Sequence, residues 1–239
     1  MTDEQPGAEL EVERRGPVLW LTIRREARRN AMSHAVLAGM AQAIDGSQGD
    51  RSVRAIVVTG AGDKAFCAGA DLQSAQAFTT DYSEPSGHLA QLLRRARASH
   101  VPLVARVNGA CMAGGMGLLG MCDLAVAAPH AQFGLPEVKV GVFPAQVLSV
   151  LQHLVPRRQL AELCLTGEPI DAQQALAMGL VNHVDADLDG RLDWLLQRVL
   201  DKSPAAIRRG LYTMKKIETL PFEESMSFTE SQIALFTLT

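Results

Sequence analysis

Short apolar runs alternate along this chain with amphipathic stretches, and the alternation predicts an α/β fold. Strands are predicted at 18–23, 55–60, 101–107 and 123–128, with a short extra piece at 132–134. Helices are predicted between and after these strands, at 34–44, 88–99, 115–122, 145–153 and 156–165. Repeated strand-then-helix order of this kind is typical of an α/β domain.

The pattern changes at Asp171, beyond which the chain is mostly helical apart from 181–184. Asp171 suits the N-cap of a helix at 172–178, and Gly179 suits the cap at its other end. Ser203 followed by Pro204 marks another helix start, because proline fits the first helical position.

Length and charge limit the classes of function. The 239 residues suffice for one large domain, or for one domain with a small appendage. A net charge of −3 argues against a dominant polyanion-binding surface, so nucleic acid is not expected as a partner. A local basic cluster, either a solvated loop face or a phosphate contact, is formed by Arg24, Arg25, Arg28 and Arg29.

Cysteine usage and the N-terminal sequence indicate an intracellular setting. The four cysteines are interpreted as reduced core residues, because none has Cys-x-x-Cys spacing: Cys67, Cys111, Cys122 and Cys164. The histidines show no ligand-like spacing either, so no metal site is predicted. The first 13 residues contain no apolar stretch after a basic start, and no window resembles a membrane span. We therefore expect a cytoplasmic protein.

Two segments rich in small residues, 66–72 and 108–117, carry the candidate chemistry. Small residues let a ligand approach the peptide N–H groups, and a helix N-terminus leaves such groups unpaired. One N–H from each segment could hold a single carbonyl oxygen and stabilise the negative charge that develops there. The alternative is that these glycines merely permit tight packing.

At these segments the chain resembles the enoyl-CoA hydratase/isomerase family, also called the crotonase family. Matching segments occur in order along most of the chain, at 25–32, 65–72, 108–123, 133–137, 165–170 and 175–181. The resemblance implies repeated ββα units with the active site at 1–195, and a helical region for oligomer packing at 196–239. It also implies homotrimers or hexamers and an acyl-CoA thioester substrate, with no metal and no further cofactor.

The resemblance assigns roles to individual residues. It implies that Ala70 and Gly114 donate the oxyanion-hole N–H groups and that Glu137 is the catalytic acid/base. A surface glutamate paired with Lys139 is the alternative for Glu137. Contacts with CoA are implied for Arg28, Ala68, Asp71 and Leu72.

Gly117 is the principal departure from the family pattern. Hydratases of the family place a second glutamate there, and glycine can neither donate a proton nor hold a water through a side chain. Isomerisation by Glu137 alone, from C2 to C4, therefore fits better than the two-glutamate hydration, with atypical hydration left open. A noncatalytic acyl-CoA-binding or scaffold protein is the alternative from another class.

Two other segments bear on this departure. Asp81 or Glu84 in the irregular stretch 73–87 is a possible source of the missing group, although surface exposure is the more expected state for both. The stretch 143–148 is bulkier than the family's glycine-rich turn and is expected to narrow or reshape the acyl end of the pocket.

Overall fold

A six-stranded sheet runs through the centre of the computed structural model, which describes residues 9–71 and 87–236. Its strands are, in spatial order, β1 (Leu10–Arg15), β2 (Val18–Ile23), β3 (Ala55–Gly60), β5 (Leu103–Val107), β7 (Leu124–Ala127) and β10 (His183–Val184). The first two strands pair antiparallel, and all other neighbours pair parallel. Parallel neighbours need crossover connections, which bring other elements onto the faces of this sheet.

A second sheet of four short strands supplies part of the three crossovers after β3, β5 and β7. It consists of β4 (Ala65–Cys67), β6 (Ala110–Met112), β8 (Gln132–Gly134) and β9 (Ile170–Asp171). The first three pair parallel, and β9 pairs antiparallel with β8. Each of β3, β5 and β7 is thus followed by a strand of the small sheet and then by a helix, which confirms the predicted α/β fold of ββα units.

Helices cover both faces of the large sheet. They are α1 (His34–Gly49), α2 (His88–Ala98), α3 (Gly114–Gly120), α4 (Ala145–Leu151), α5 (Arg157–Thr166), α6 (Ala172–Ala177), α7 (Leu188–Leu200), α8 (Pro204–Ile217) and α9 (Phe222–Phe236). Two 3₁₀-helices lie at Glu26–Arg28 and Pro136–Val140. Among the described residues, every helix is too short or too polar to cross a membrane.

The apolar core lies mainly on one side of the large sheet, where α1, α2 and α3 pack. A smaller cluster on the other side joins Val57 and Val104 of the sheet to Leu192 of α7. All six residues of β3 are buried, as expected for a strand covered on both faces. All four cysteines are free and buried, which confirms the prediction of reduced core residues.

Strands β1, β4, β6 and the two-residue β9 were not predicted from the sequence. β1 alternates apolar and charged residues at the edge of the sheet, and its charges made it resemble an acidic tail. β4 and β6 have only three residues each, too few to show a period. At α6, Asp171 caps the N-terminus as predicted, whereas the C-cap is Met178 and Gly179 follows it with a φ of +82°.

Candidate active site

Ala70 ends the first small-residue segment with its N–H turned away from the neighbouring chain. The Met32 N–H donates to the Gly69 carbonyl at 2.8 Å, and the Asp71 N–H donates to the Met32 carbonyl at 3.1 Å. These two bonds form a parallel bridge between Met32 and Ala70. In such a bridge the central residue's own peptide groups point to the opposite side. Within residues 9–71 and 87–236, the Ala70 N–H has no hydrogen-bond partner.

Gly114 begins α3, so its N–H is one of those that a helix N-terminus leaves unpaired. The preceding residue, Ala113, has a φ of 52° and a ψ of −124°, a conformation that a residue with a Cβ rarely adopts. A hydrogen bond of 2.9 Å from the Ala113 N–H to the Gly134 carbonyl anchors this turn. No partner of the Gly114 N–H occurs in the described part of the chain.

The two segments approach each other so closely that only small residues fit. A Cβ placed on Gly114 would lie 3.7 Å from the Ala70 nitrogen and 2.6 Å from the Met32 methyl carbon. A Cβ placed on Gly69 would lie 3.2 Å from the Gly114 nitrogen and 2.8 Å from the Ala113 Cβ. The nitrogens of Ala70 and Gly114 therefore lie close together and border the same small space.

Two buried asparagines hold the chain around this space. Asn30 and Asn108 each donate to the Ala65 carbonyl, at 2.6 and 3.2 Å, just before the first segment. The Asn108 amide also donates to the Gly62 carbonyl at 2.7 Å. Buried amides must be paired in this way, because an unpaired polar group inside a protein is costly. From the sequence, neither asparagine was assigned a role, although both lie in the matching segments at 25–32 and 108–123.

Glu137 lies in the 3₁₀-helix after β8, with its side chain largely out of solvent. Burial raises the pKa of this carboxyl above its ordinary value of 4.5. Its Oε2 atom is buried and has no hydrogen-bond partner among the described residues. Lys139 instead pairs with Glu168, at 2.8 Å. The alternative of a surface Glu137–Lys139 pair is therefore wrong.

The Glu137 carboxylate lies beside α5. The pKa of the Cys164 thiol in that helix is raised, mainly by burial and also by the nearby charge of Glu137. This thiol stays protonated near neutral pH and is a poor nucleophile, because the thiolate is the reactive form. Of these two neighbouring groups, Glu137 is therefore the one suited to exchange a proton near neutral pH.

Gly117 is buried in α3, one turn beyond Gly114. A Cβ placed on Gly117 would lie 2.9 Å from Val147 Cγ1 of α4. A side chain at this position, where the resemblance places a second carboxylate, would therefore meet a valine methyl group. Within the predicted bulky stretch, Val147 faces this position, whereas Phe143 is 48% exposed.

The residues predicted to contact CoA have different surroundings. The Asp71 carboxylate forms an ion pair with Arg25 at 2.6 Å, and both side chains are only 12% exposed. The Ala68 N–H donates to the Arg29 carbonyl at 3.1 Å. Arg28 is exposed at the end of the first 3₁₀-helix. Three other residues named from the sequence lie outside the described residues: Leu72, Asp81 and Glu84.

The basic cluster divides into paired and unpaired arginines. Arg24 pairs with Glu11 at 2.9 Å, and Arg25 pairs with Glu9 at 2.8 Å in addition to Asp71. The guanidinium groups of Arg28 and Arg29 have no ion-pair partner in the described part of the chain. A groove of about 260 Å³ adjoins them and is lined by Glu26, Ala27, Arg29, Asn30, Ala61, Lys64 and Ala65.

Known proteins resemble this chain along almost its whole length. The sequence profile described as enoyl-CoA hydratase/isomerase matches residues 13–231. The enoyl-CoA hydratase EchA19 of Mycobacterium tuberculosis is 33% identical, over 98% of this chain and 90% of its own. The 2,3-dehydroadipyl-CoA hydratase of Escherichia coli is also 33% identical, over 97% of this chain and 90% of its own.

The fold leads to the same group of proteins. The crystal structure of an enoyl-CoA hydratase/isomerase from Marinobacter aquaeolei superposes with a TM-score of 0.88 and 30% identity. The superposition covers 97% of this chain and 92% of that structure. The ββα units, the ordered segments and these similarities agree, and the chain belongs to the enoyl-CoA hydratase/isomerase family.

Proposed function

We propose that this protein isomerises 3-enoyl-CoA to 2-enoyl-CoA with a single glutamate, Glu137. The observation that carries the proposal is the valine methyl group at Gly117, in the place of a second carboxylate. Ala70 and Gly114 supply the two N–H groups that stabilise the enolate oxygen. Their free N–H groups and shared space support this role.

The proposed reaction is a proton transfer between two carbons. The Glu137 carboxylate removes a proton from C2 of the 3-enoyl thioester, and the electrons move into a dienolate. The thioester oxygen then carries negative charge, which the N–H groups of Ala70 and Gly114 stabilise. Protonated Glu137 returns the proton at C4, which leaves the double bond between C2 and C3. Burial of Glu137 suits this shuttle, because a raised pKa brings the carboxyl nearer to the working pH.

Arg28 and Arg29 are the proposed contacts for the phosphates of CoA. Both are exposed and have no ion-pair partner among the described residues, and Arg29 lines the adjoining groove together with Lys64. Guanidinium groups are well suited to phosphate, which they can bind through paired N–H donors. Asp71 is proposed to contribute through its backbone, since its carboxylate is already paired with Arg25.

Two substrates distinguish the possible reactions. Isomerisation of 3-enoyl-CoA increases the absorbance of the conjugated thioester, whereas hydration of trans-2-enoyl-CoA decreases it. We expect the wild-type protein to increase the absorbance with the first substrate and to turn over the second far more slowly. Glu137→Gln should lower kcat for isomerisation by about 10²–10⁴-fold, the usual contribution of a positioned acid/base group.

Glu168→Gln is the matched control for this experiment. Glu168 is exposed and pairs with Lys139, so its loss should leave isomerisation unchanged. Full activity in Glu137→Gln would contradict the role of this glutamate. Hydration faster than isomerisation in the wild-type protein would contradict the proposed reaction.

A noncatalytic acyl-CoA-binding protein is the second candidate, and Gly117 is the feature that favours it. This candidate predicts that calorimetry detects binding of an acyl-CoA while neither enoyl-CoA is turned over. Turnover that depends on Glu137 would exclude it.

A further inference from the structure

Helices α3 and α4 pack through a repeated contact of glycine against valine. A Cβ on Gly117 would lie 2.9 Å from Val147 Cγ1, and a Cβ on Gly120 would lie 2.8 Å from Val150 Cγ2. Both glycines lie on α3 and both valines on α4, so the two contacts are three residues apart on each helix. The absence of side chains at the two glycines lets α4 approach closely.

Only the first of these contacts is near the candidate reaction site. Gly117 lies three residues after Gly114, whose N–H borders the space shared with Ala70. Val147 is 3% exposed, and its methyl group fills the space beside Gly117. Gly120 and Val150 lie a turn further from Gly114. Both contacts place a valine methyl group against a glycine, at different distances from the site, and the second also involves Leu151 Cδ2 at 3.1 Å.

We propose that Val147 determines reaction specificity by excluding both a second carboxylate and a nucleophilic water from the space beside Gly117. This inference rests on the proposed function. A glutamate side chain introduced at position 117 would collide with Val147. Because Val147 of α4 blocks this space, both Gly117 and Val147 must be substituted before a glutamate fits.

The chemical consequence follows from what hydration requires. A water oxygen must bond to C3 while a proton is delivered to C2, and the water has to be held and deprotonated as it attacks. A valine methyl group can neither accept that proton nor hydrogen-bond the water. Among the described residues, Glu137 is the group placed to exchange a proton with the dienolate at C2 or C4. Hydration of the 2-enoyl product would need a held and deprotonated water, which a valine methyl group beside Gly117 does not supply.

Three variants test this inference: Gly117→Glu, Val147→Ala and the double variant. Gly117→Glu alone should lower Tm by roughly 2–10 °C, because the new side chain meets Val147 in a packed interior. The double variant should recover much of that loss, since the two positions share one space and their effects should not add. It should also hydrate trans-2-enoyl-CoA about 10²-fold faster than wild type, as a positioned general base would allow.

The double variant Gly120→Glu/Val150→Ala is the matched control. It makes the same two substitutions across the same pair of helices, at the contact further from Gly114. Its Tm should fall as well, with less recovery because the added side chain also meets Leu151 Cδ2, and hydration should stay at the wild-type rate. The ratio of hydration to isomerisation is thus the readout that packing alone would not change.

The outcomes separate this inference from the proposed function. Equal hydration by Gly117→Glu/Val147→Ala and by wild type, or an equal gain in the control pair, would overturn the role of Val147. If the wild-type protein failed to isomerise 3-enoyl-CoA, the proposed function would fail. A gain of hydration confined to the pair at 117 and 147 would still support the inference in that case.

Discussion

At Glu137, burial and an unpaired oxygen make the charged carboxylate less favourable in the folded protein than in water. This arrangement is costly for stability and useful for proton transfer, a combination expected at a catalytic residue. Asp71 has the opposite surroundings, because its carboxylate is paired with the Arg25 guanidinium at 2.6 Å. The two carboxylates therefore suit different tasks: proton exchange at Glu137 and fixation of the first segment at Asp71.

The raised pKa of Glu137 predicts a pH-dependent gain of stability in Glu137→Gln. Between the ordinary value of 4.5 and the raised pKa, the folded state binds more protons at this site than the unfolded state. Stability of the wild type therefore falls as pH rises through this interval, and the cost is fully present above it. The glutamine variant lacks this cost, so near neutral pH its Tm should equal or exceed that of wild type.

Thermal unfolding of both proteins across pH tests this prediction. The difference in Tm should shrink as pH is lowered toward 4.5, where the wild-type carboxyl becomes protonated in both states. A variant that is markedly less stable near neutral pH would mean that the carboxylate has a stabilising partner.

At the scale of elements, the N-terminus of α3 depends on a strained turn. Ala113 adopts a positive φ of 52° immediately before Gly114, whose nitrogen borders the shared space. Strain of this kind costs roughly 1–3 kcal/mol and persists where the surrounding structure enforces it. Here the bond from the Ala113 N–H to Gly134 and the close contact with Gly69 do so.

Ala113→Gly should stabilise the protein by about 1 kcal/mol, because glycine adopts a positive φ without steric cost. Urea unfolding measures this change. Ala110→Gly is the matched control, since Ala110 lies in β6 and has no positive φ. The control should lose about 0.5–1 kcal/mol. Destabilisation of similar size in both variants would contradict strain at Ala113.

The sequence predicted the elements that show a clear period and missed those that are too short to show one. The apolar run of β3 and the amphipathic face of α2 were sufficient for their prediction. Ala70, Gly114 and Glu137 were named through family segments, and the structure brings the first two together. Val147 was not singled out, because its contact with Gly117 depends on how α3 and α4 pack across 30 residues of chain.

At the scale of the whole molecule, the C-terminal helices are bound to the core by charged side chains. The Lys215 ammonium of α8 contacts Asp123 at 3.0 Å and donates to the carbonyls of Ala96 and Ser99. Arg208 donates to the carbonyls of Asp50 and Val53 near the end of α1. Large apolar side chains are exposed on α8, at Tyr212 and Met214, and on α9, at Phe222, Met226, Ile233 and Leu235. Exposed apolar surface of this kind marks interaction sites.

We expect these side chains to be covered in a homotrimer or hexamer. Analytical ultracentrifugation should then give three or six times the chain mass of 25.7 kDa. Met214→Glu and Ile233→Glu, at positions 67% and 62% exposed, should shift the protein toward smaller species because a buried unpaired charge is costly. Gln197→Glu on α7 is the control and should leave the mass unchanged. A wild-type protein of single-chain mass would contradict the expected assembly.

The central claim is that one carboxyl group carries a proton from C2 to C4 of an enoyl thioester. The most direct measurement uses 3-enoyl-CoA with two deuterium atoms at C2 and follows the product by NMR and mass spectrometry. Proton transfer by Glu137 predicts 2-enoyl-CoA that retains deuterium at C4 in the earliest turnovers, and loss of this transfer in Glu137→Gln. A product with only solvent hydrogen added at C4, or a 3-hydroxyacyl thioester formed in its place, would contradict the account.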